Sequence, residues 1–438
     1  MAQKKTDQKK INLISLGCSK NLVDSEVLMG QLKAANIEVL YEQPFDKAET
    51  VVINTCGFIK DAKQESIDTI FQAVDAKLAG FVKKIYVMGC LSQRYRDELK
   101  VEIPEVDGFF GVTDLPVILR TLGAEYHKEL IGERMITTPS HTAYLKIAEG
   151  CDRKCSFCAI PIIRGGNISR PLEEIVKEGE HLASIGIKEI SLIAQDLTYY
   201  GLDLYKERKL GELVNALSLI DGIEWIRLHY TYPAGFPMDL LDIIRENPKV
   251  CKYIDIPFQH INDALLQSMR RNITGEETRK LMEAFRSKVP GLAIRTAFIV
   301  GYPGETEEAF NELKAFLIQS RFERAGVFTY SEEEGTKAAD LTDDVSEELK
   351  LQRANELMEI QEKISFELNT EKIGKTFKVL IDRVEGDYFV GRTEFDSPEI
   401  DNEVLVPITE KGVKIGQFSN IKITASDSFD LFGVLLTE

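Results

Sequence analysis

Several features that mark membrane, secreted or nucleic-acid-binding proteins are scarce or missing in this sequence of 438 residues. No uninterrupted apolar stretch approaches the roughly 20 residues that cross a bilayer, so we expect no membrane-spanning segment. The first residues, MAQKKTDQKK, have no apolar run behind their lysines, which predicts the absence of a secretory signal. We therefore expect a cytoplasmic protein whose thiols stay reduced.

Positive charge is also in short supply. The chain has 54 Lys and Arg against 71 Asp and Glu, which gives a net charge of −17. A surface this acidic repels phosphate backbones unless a basic patch is segregated on it. Nucleic acid is therefore disfavoured as a partner.

Cysteine is sparse and odd in number, with seven residues in the chain. An odd count in a reduced protein argues against a disulfide framework and favours metal or redox chemistry. Three cysteines lie far apart and three are bunched, while Cys251 has no partner at motif spacing and is expected in the core. The dispersed triplet is Cys18, Cys56 and Cys90, and the bunched triplet is Cys151, Cys155 and Cys158.

The dispersed cysteines each end a short apolar run, at residues 11–17, 50–54 and 84–89. Helical patterns follow these runs, for example over 24–34 and 60–78, and this alternation indicates βαβ units. Crossover connections make such strands parallel, so their carboxyl ends share one edge of the sheet. We therefore predict that the three cysteines converge in space.

A polar stretch at residues 125–140 predicts a linker and a domain boundary near residue 138. Beyond it, six candidate strands alternate with helical patterns, which predicts a partial TIM-like (β/α)6 barrel with its chemistry at the carboxyl ends of the strands. The candidate strands are residues 143–148, 188–194, 223–229, 252–256, 293–299 and 325–330.

Residues 344–368 form a strongly helical pattern that predicts a connecting helix. After Gly374 short alternating runs separated by glycines predict a small antiparallel β-barrel. The predicted α/β architecture thus has an N-terminal parallel α/β domain at 1–138, a central barrel with its connecting helix at 139–372 and a β-barrel at 373–438. From Lys375 onward the net charge is −5, with seven basic and twelve acidic residues.

Acidic residues crowd part of this last segment, too densely for a face that follows phosphates. We expect them to form a surface for a basic protein, with a solvated surface that binds nothing as the alternative. The residues are Asp382, Glu385, Asp387, Glu394, Asp396, Glu399, Asp401 and Glu403.

The bunched cysteines carry the strongest chemical signal. Their CxxxCxxC spacing places three thiolates in one loop after the first barrel strand. Three thiolates can bind three irons of a [4Fe–4S] cluster and leave the fourth iron open for a substrate or cofactor. The alternative, a structural zinc site, needs a fourth Cys or His at short spacing. None lies within the next twenty residues, and the nearest candidate, His181, falls in an amphipathic helix.

These motifs resemble those of the radical S-adenosylmethionine methylthiotransferases, and within that family those of the RimO branch, which acts on ribosomal protein S-twelve. The resemblance spans all three predicted domains, including a TRAM-like C-terminal barrel. It departs from the branch at Leu197, which leaves the detailed shape of that loop open. The matching segments are SLGCSKNLVDSE at 15–26, NTCGFI at 54–59, MGCLSQRY at 88–95, CAIPIIRG at 158–165 and AQDLTYYG at 194–201.

The resemblance implies two [4Fe–4S] clusters and S-adenosylmethionine as cofactors. The bunched triplet would hold the cluster that binds S-adenosylmethionine. Cys18, Cys56 and Cys90 would hold an auxiliary cluster that carries the sulfur to be transferred; the alternative is three semi-buried cysteines that act as small hydrophobes. No side chain is assigned as catalytic, because the radical chemistry belongs to the clusters.

Candidate contacts to S-adenosylmethionine come from the predicted strand ends and from the FIVGYPGETE segment at 298–307. Glycines there would let backbone amides approach a ligand, although Thr306 as a helix N-cap explains part of the segment. Ordinary βα loops also carry polar residues of this kind. The candidates are Phe157, Gln195, Asp196, Arg227, Gln259, Arg295, Gly301, Gly304 and Glu305.

The implied reaction is methylthiolation of the β-carbon of an aspartate, with one S-adenosylmethionine supplying the methyl group and a second the radical. The implied partners are ribosomal protein S-twelve, free or in the small ribosomal subunit, together with an electron donor and a sulfur donor. One alternative is the branch of the family that modifies an adenosine of tRNA, which the negative charge disfavours. Another is an iron–sulfur electron carrier without enzymatic activity, for which the glycine segment and the six-unit barrel would be superfluous.

Overall fold

The computed structural model describes residues 10–130 and 132–436, so the lysine-rich start of the chain lies outside the described residues. The first unit is a parallel sheet with strand order β2-β1-β3-β4-β5. The strands are β1 Lys10–Ser15, β2 Glu38–Tyr41, β3 Thr50–Thr55, β4 Lys84–Gly89 and β5 Gly108–Phe109. The helices are α1 Ser19–Ala34, α2 Lys60–Leu78, α3 Cys90–Glu102 and α4 Leu115–Leu122. The three predicted strands and both predicted helices are present.

The central unit contains six parallel strands at the predicted positions, β6 Thr142–Lys146, β9 Glu189–Ile193, β10 Trp225–Leu228, β11 Tyr253–Asp255, β12 Ala293–Val300 and β13 Arg324–Thr329. They form two ladders, β10-β9-β6 and β11-β12-β13, which an isolated bridge between Ile226 and Val250 joins. In the described residues β6 and β13 do not pair, so the barrel is open on one side. A short antiparallel pair, β7 Ala148–Glu149 and β8 Ile168–Ser169, flanks the loop with the bunched cysteines.

Helices cover the outer face of these strands with one continuous apolar core. They are α6 Leu172–Ser184, α7 Leu210–Ser218, α8 Leu240–Glu246, α10 Gly275–Lys288 and α11 Glu307–Ser320. Two short helices, α5 Ile160–Arg164 and α9 Asp263–Ser268, belong to smaller apolar clusters. The connecting helix, α12 Glu347–Thr370, begins at an N-cap serine, Ser346, whose hydroxyl accepts a hydrogen bond from the amide of Leu349. No helix among the described residues is long and apolar enough to cross a membrane.

The C-terminal unit is a closed barrel with strand order β14-β15-β16-β18-β17. Its strands are β14 Thr376–Glu385, β15 Tyr388–Arg392, β16 Val404–Pro407, β17 Phe418–Ser426 and β18 Leu431–Leu435. The small barrel is therefore present as predicted. It differs from the predicted antiparallel barrel in one ladder, because β16 and β18 run parallel while the other four neighbouring pairs are antiparallel.

The small barrel closes the amino-terminal end of the central strands, opposite the cysteine loop. Trp225 and Tyr253, the first residues of β10 and β11, pack with Leu380 of β14 in one apolar cluster. Residues 393–402, which we call the plug loop, reach into the central barrel. The hydroxyl of Ser397 lies 3.0 Å from Nε2 of His229, and a carboxylate oxygen of Asp401 accepts the Tyr253 hydroxyl at 2.8 Å.

The prediction that eight acidic residues of the C-terminal unit form a free surface for a basic protein is wrong. Six of the eight predicted residues have partners within the protein. Four carboxylates satisfy buried or partly buried arginines or a main-chain amide, and two pair with the exposed Arg383. The pairs are Asp382 with Arg392 and His141, Glu385 and Glu403 with Arg383, Glu394 with the amide of Lys252, Asp396 with Arg324, and Asp401 with Arg295.

The predicted linker contains a buried anchor. The side chain of Arg134 is fully buried and pairs with Glu26 of α1 and with Glu178 of α6, the latter at 2.9 Å. Because two carboxylates on different units share one guanidinium, this segment joins the first unit to the central barrel.

Candidate functional site

The three dispersed cysteines lie at one edge of the first sheet. Cys18 is the N-cap of α1, Cys56 follows β3, and Cys90 begins α3. Strands β1, β3 and β4 are parallel neighbours, so their carboxyl ends adjoin. Each of the other two thiols contributes to the pKa of Cys90, which burial raises to about 11. The structure thus brings the dispersed triplet together.

Two glycines allow these loops to close on one another. Gly17 has a φ of +91°, and a Cβ added to it would lie 2.7 Å from Cβ of Cys56. A Cβ added to Gly57 would lie 2.6 Å from the amide nitrogen of Leu91, just after Cys90. A side chain at either position would push the cysteine loops apart, so close approach explains both glycines.

The bunched cysteines occupy the loop after β7, which the rest of the central barrel holds in place. The buried hydroxyl of Ser156 donates to the carbonyl of Ser268 at 2.8 Å and lies 2.9 Å from the hydroxyl of Tyr302. Burial raises the pKa of Cys151 to about 11 and that of Cys158 to about 12, and each is also raised by the Cys155 thiol. The three thiols are therefore neighbours as well.

Each triplet has its own buried arginine, whose guanidinium contacts one of the three sulfurs. Nε of Arg164 donates to Sγ of Cys90 at 3.4 Å, and Nη1 of Arg271 donates to Sγ of Cys155 at 3.3 Å. A guanidinium favours negative charge on the sulfur, which is the form that binds iron. The sequence analysis missed both residues. Arg164 lies in the CAIPIIRG segment and could have been found there, whereas Arg271 carries no local signal.

Helix α5 separates the two triplets. It begins two residues after Cys158, and its residue Ile163, together with Ala159, packs against Cys90 in a small apolar cluster. Arg164, the last residue of α5, also bonds to Glu149 at 2.8 Å, just before the cysteine loop. One short helix therefore contacts both cysteine groups.

Both triplets consist of three free cysteines, a set of ligands that suits an iron–sulfur cluster. Among residues 10–130 and 132–436, no group of three His, Cys, Asp or Glu side chains is close enough to hold one metal ion. A four-iron cluster spreads its cysteine ligands over separate irons, so it needs wider spacing than a mononuclear site. Its thiolates must be deprotonated, and the two sulfur-bound guanidiniums favour that state.

Three of the predicted S-adenosylmethionine contacts lie beside the cysteine loop. Nε2 of Gln195 donates to Glu149 at 2.9 Å, while its buried Oε1 has no hydrogen-bond partner in the described part of the chain. Asp196 pairs with Arg153 of the loop at 2.8 Å. Phe157, within the loop, packs against a buried apolar cluster. These side chains adjoin the cysteines, and the amide oxygen of Gln195 is a buried acceptor without a partner in the described chain.

Two other predicted contacts, both arginines, pair with partners within the protein. Arg227 is fully buried, pairs with Glu189 at 2.8 Å and donates to the carbonyl of Glu394 in the plug loop. Arg295 pairs with Asp255 and Asp401, each at 3.3 Å. Both side chains point into the barrel as expected, but the C-terminal unit is their partner. The structure therefore gives no support to cofactor binding by these two arginines.

The carboxylate of Glu305 likewise has its partners within the protein. Its buried carboxylate accepts Nη1 of Arg353 at 2.7 Å and the amide of Gly301 at 2.6 Å, and it lies 3.1 Å from Nε2 of His260. The structure therefore gives no support to cofactor binding by this carboxylate. The hydroxyl of Thr306 caps α11, as its N-cap alternative predicted.

The two glycines of the same segment differ. Gly301 has a φ of +71°, and the buried side chain of Lys350 fills the space beside it, so protein packing explains this glycine. Gly304, with a φ of +84°, has open space beside it, and its amide donates to Asp344 at 2.8 Å. Gln259 is half-buried, with a φ of +73°. Cys251 is buried at the junction with the C-terminal barrel, apart from both triplets.

Three family descriptions match successive parts of the chain. Residues 10–111 match the uncharacterized protein family UPF0004, residues 145–317 the radical SAM superfamily, and residues 373–436 the TRAM domain. Among solved structures, the radical S-adenosylmethionine methyltransferase TsrM from Kitasatospora setae shares the fold, with a TM-score of 0.56 and 13% identity. That alignment covers 73% of each chain.

Curated relatives match along the whole chain. A protein of Flavobacterium psychrophilum named ribosomal protein uS12 methylthiotransferase RimO is 59% identical, with 99% of each chain covered. Proteins of the same name from Cytophaga hutchinsonii and Bacteroides thetaiotaomicron are 55% and 54% identical, and the alignments cover 100% and 98% of this chain and 100% and 99% of theirs. With both cysteine triplets, the open barrel and the TRAM barrel in place, the chain belongs to the RimO family of radical S-adenosylmethionine methylthiotransferases.

Proposed function

We propose that this enzyme adds a methylthio group to the β-carbon of an aspartate in ribosomal protein uS12, with S-adenosylmethionine and two [4Fe–4S] clusters as cofactors. The relatives' shared name supports the substrate. The observation that carries the two-cluster proposal is the pair of cysteine triplets on either side of α5, each with one arginine on a sulfur.

The need for such cofactors follows from the target atom. An aspartate β-hydrogen is too weakly acidic for a side-chain base, so a cluster with S-adenosylmethionine would supply the radical that removes it. The protein's own residues would hold the two groups at a fixed separation. Helix α5 contacts both triplets, and Arg164 spans from Cys90 to Glu149 beside the second loop.

The proposal assigns a role to each unit. Residues 1–138 would hold the auxiliary cluster on Cys18, Cys56 and Cys90. Residues 139–372 would hold the other cluster on Cys151, Cys155 and Cys158, with S-adenosylmethionine near Phe157, Gln195 and Asp196. Residues 373–438 would contribute to substrate binding. An electron donor, a sulfur donor and a cytoplasmic location complete the proposal, and uS12 would react either free or in the small ribosomal subunit.

Iron content tests the two-cluster proposal. Anaerobically reconstituted protein should bind about eight irons, and each triple change of one triplet to alanine should leave about four. Cys251→Ala is the matched control, because this buried cysteine belongs to neither triplet, and it should keep the full content. About four irons in the unchanged protein would contradict the proposal.

Two further measurements separate the roles of the triplets. The Cys151, Cys155 and Cys158 variant should lose reductive cleavage of S-adenosylmethionine. The Cys18, Cys56 and Cys90 variant should keep that cleavage but fail to methylthiolate uS12, as judged by the mass of the protein substrate. If both variants lost cleavage to the same extent, the division of roles would be wrong. A mass increase on tRNA instead of uS12 would favour the tRNA branch.

A further inference from the structure

The exposed face of α12 carries an apolar stripe that nothing in the described chain covers. Leu351, Met358 and Phe366 are 57%, 40% and 48% exposed, and their spacing of seven and eight residues places them along one side of the helix. The opposite side, which includes Leu357 and Ile364, is buried against the central barrel. Helix α12 therefore has one face packed in the protein and one face without a partner.

Unpaired carboxylates accompany this stripe. Glu348, Glu359 and Glu362 lie on the same side of the helix, and none has an ion-pair partner among the residues that the structure describes. Three further glutamates on this helix are already paired, with Lys350, Lys314 and Arg321. Because this face also carries one lysine, Lys363, these side chains leave it with a net negative charge. The free acidic surface thus lies on α12, while most carboxylates of the small barrel are used internally.

The stripe continues onto the C-terminal barrel across a cavity. Ile400 and Phe429, 51% and 59% exposed, lie at the rim of a cavity of about 470 Å³ between α12, β13 and the end of the plug loop. Two residues of its wall, Gln361 and Asn402, are more than nine-tenths buried. Oε1 of Gln361 and Nδ2 of Asn402 have no hydrogen-bond partner in the described chain. An unpaired acceptor and an unpaired donor match the two groups that a peptide main chain offers.

We infer that this face, formed by α12 together with Ile400 and Phe429, is the docking surface for a Lys- and Arg-rich segment of ribosomal protein uS12, an inference that rests on the proposed function. Charge complementarity selects this occupant. Proteins that bind ribosomal RNA carry basic segments to neutralise phosphates, and such segments have lysine and arginine stems that cover apolar side chains while their charges reach carboxylates. The cavity lies beside Arg295 of β12 and Arg324 of β13, at the junction with the C-terminal barrel.

Charge reversal with a matched control tests the surface. The triple variant Glu348→Lys, Glu359→Lys, Glu362→Lys should bind purified uS12 about tenfold more weakly than the unchanged enzyme at low salt, mainly through slower association. Its affinity should also depend less on salt. The control is Glu98→Lys, Glu180→Lys, Glu283→Lys, which reverses three exposed, unpaired glutamates on other helices and adds the same six charges. It should lose less than about twofold if net charge acts only as a weak long-range field.

A second variant tests the apolar part. Leu351→Ser with Phe366→Ser should also weaken binding about tenfold, because the apolar contact is lost, with iron content and S-adenosylmethionine cleavage unchanged. Equal losses in the α12 variant and its control, or normal binding by the serine variant, would overturn the docking surface while uS12 remained the substrate. Failure of the unchanged enzyme to modify uS12 would overturn the proposed function itself.

Discussion

Glu189→Gln should loosen the C-terminal barrel from the central barrel. The Glu189 carboxylate is fully buried at the start of β9 and accepts Nε of Arg227 and Nη2 of Arg392, each at 2.8 Å. The amide would remove the negative charge and turn an NH₂ group toward a guanidinium. Both arginines would stay buried, with Asp382 as the remaining carboxylate beside Arg392. Breaking a buried pair in this way costs about 3–5 kcal/mol.

An exposed pair across the same junction is the matched control. Glu224 accepts Nζ of Lys378 at 2.7 Å, and both side chains are more than two-fifths exposed. Solvent screens this interaction, so Glu224→Gln should cost less than about 1 kcal/mol. The two substitutions are chemically identical and differ in burial, which isolates the effect of the low-dielectric site.

The only tryptophan of the chain reports on this junction. Trp225 is buried and its ring centroid lies 4.8 Å from that of Phe418 in the C-terminal barrel. Urea titration followed by tryptophan fluorescence should show separation of the barrel at clearly lower urea for Glu189→Gln than for Glu224→Gln. Equal midpoints for the two variants would refute the reasoning, because buried and exposed pairs would then contribute alike.

Two further predictions concern pH and backbone conformation. Burial opposes the charged forms of Glu189 and Asp396, but neighbouring arginines outweigh it and lower both pKa values. Their stabilisation is therefore complete above about pH 5 and is lost as the pH falls further. Tryptophan fluorescence should shift to the red in acid, and a shift between pH 6 and 8 would contradict this. Gly301→Ala should destabilise the enzyme more than Gly304→Ala. Both positions have positive φ, but only at Gly301 would the added Cβ also clash with the buried side chain of Lys350. Equal melting temperatures of the two variants would refute the steric argument.

The elements and the convergence of the dispersed cysteines were predictable because local patterns encode them. Predicted and observed bounds agree to within about two residues for most strands, since alternating βα units leave a clear periodic signal. Parallel strands share their carboxyl edge whatever the loop lengths, so Cys18, Cys56 and Cys90 could be placed together across gaps of more than thirty residues. Nothing comparable marks Arg271, which reaches Cys155 from a segment without a motif.

The interior arginines show why the remaining contacts could not be predicted. A charged residue on the inner face of a barrel strand requires a partner, and either a cofactor or another carboxylate satisfies that requirement. Arg227 and Arg295 find theirs in Glu189, Asp255 and the plug loop, some through contacts more than one hundred residues apart. No local pattern distinguishes these outcomes, because the loop that provides the partners lies in another folding unit.

The acidic residues of the C-terminal unit likewise show that the sequence does not reveal which charged side chains are paired. The density of carboxylates around residues 382–403 resembled a charged surface, yet buried or neighbouring arginines need most of them. The glutamates of α12 are more widely spaced along the chain, and the helix repeat gathers three of them, Glu348, Glu359 and Glu362, on one exposed face, where none has an ion-pair partner among the described residues. Surface charge therefore depends on which carboxylates are paired inside the folded protein. For a basic substrate, the unpaired carboxylates of α12 attract more strongly than the paired carboxylates of residues 382–403.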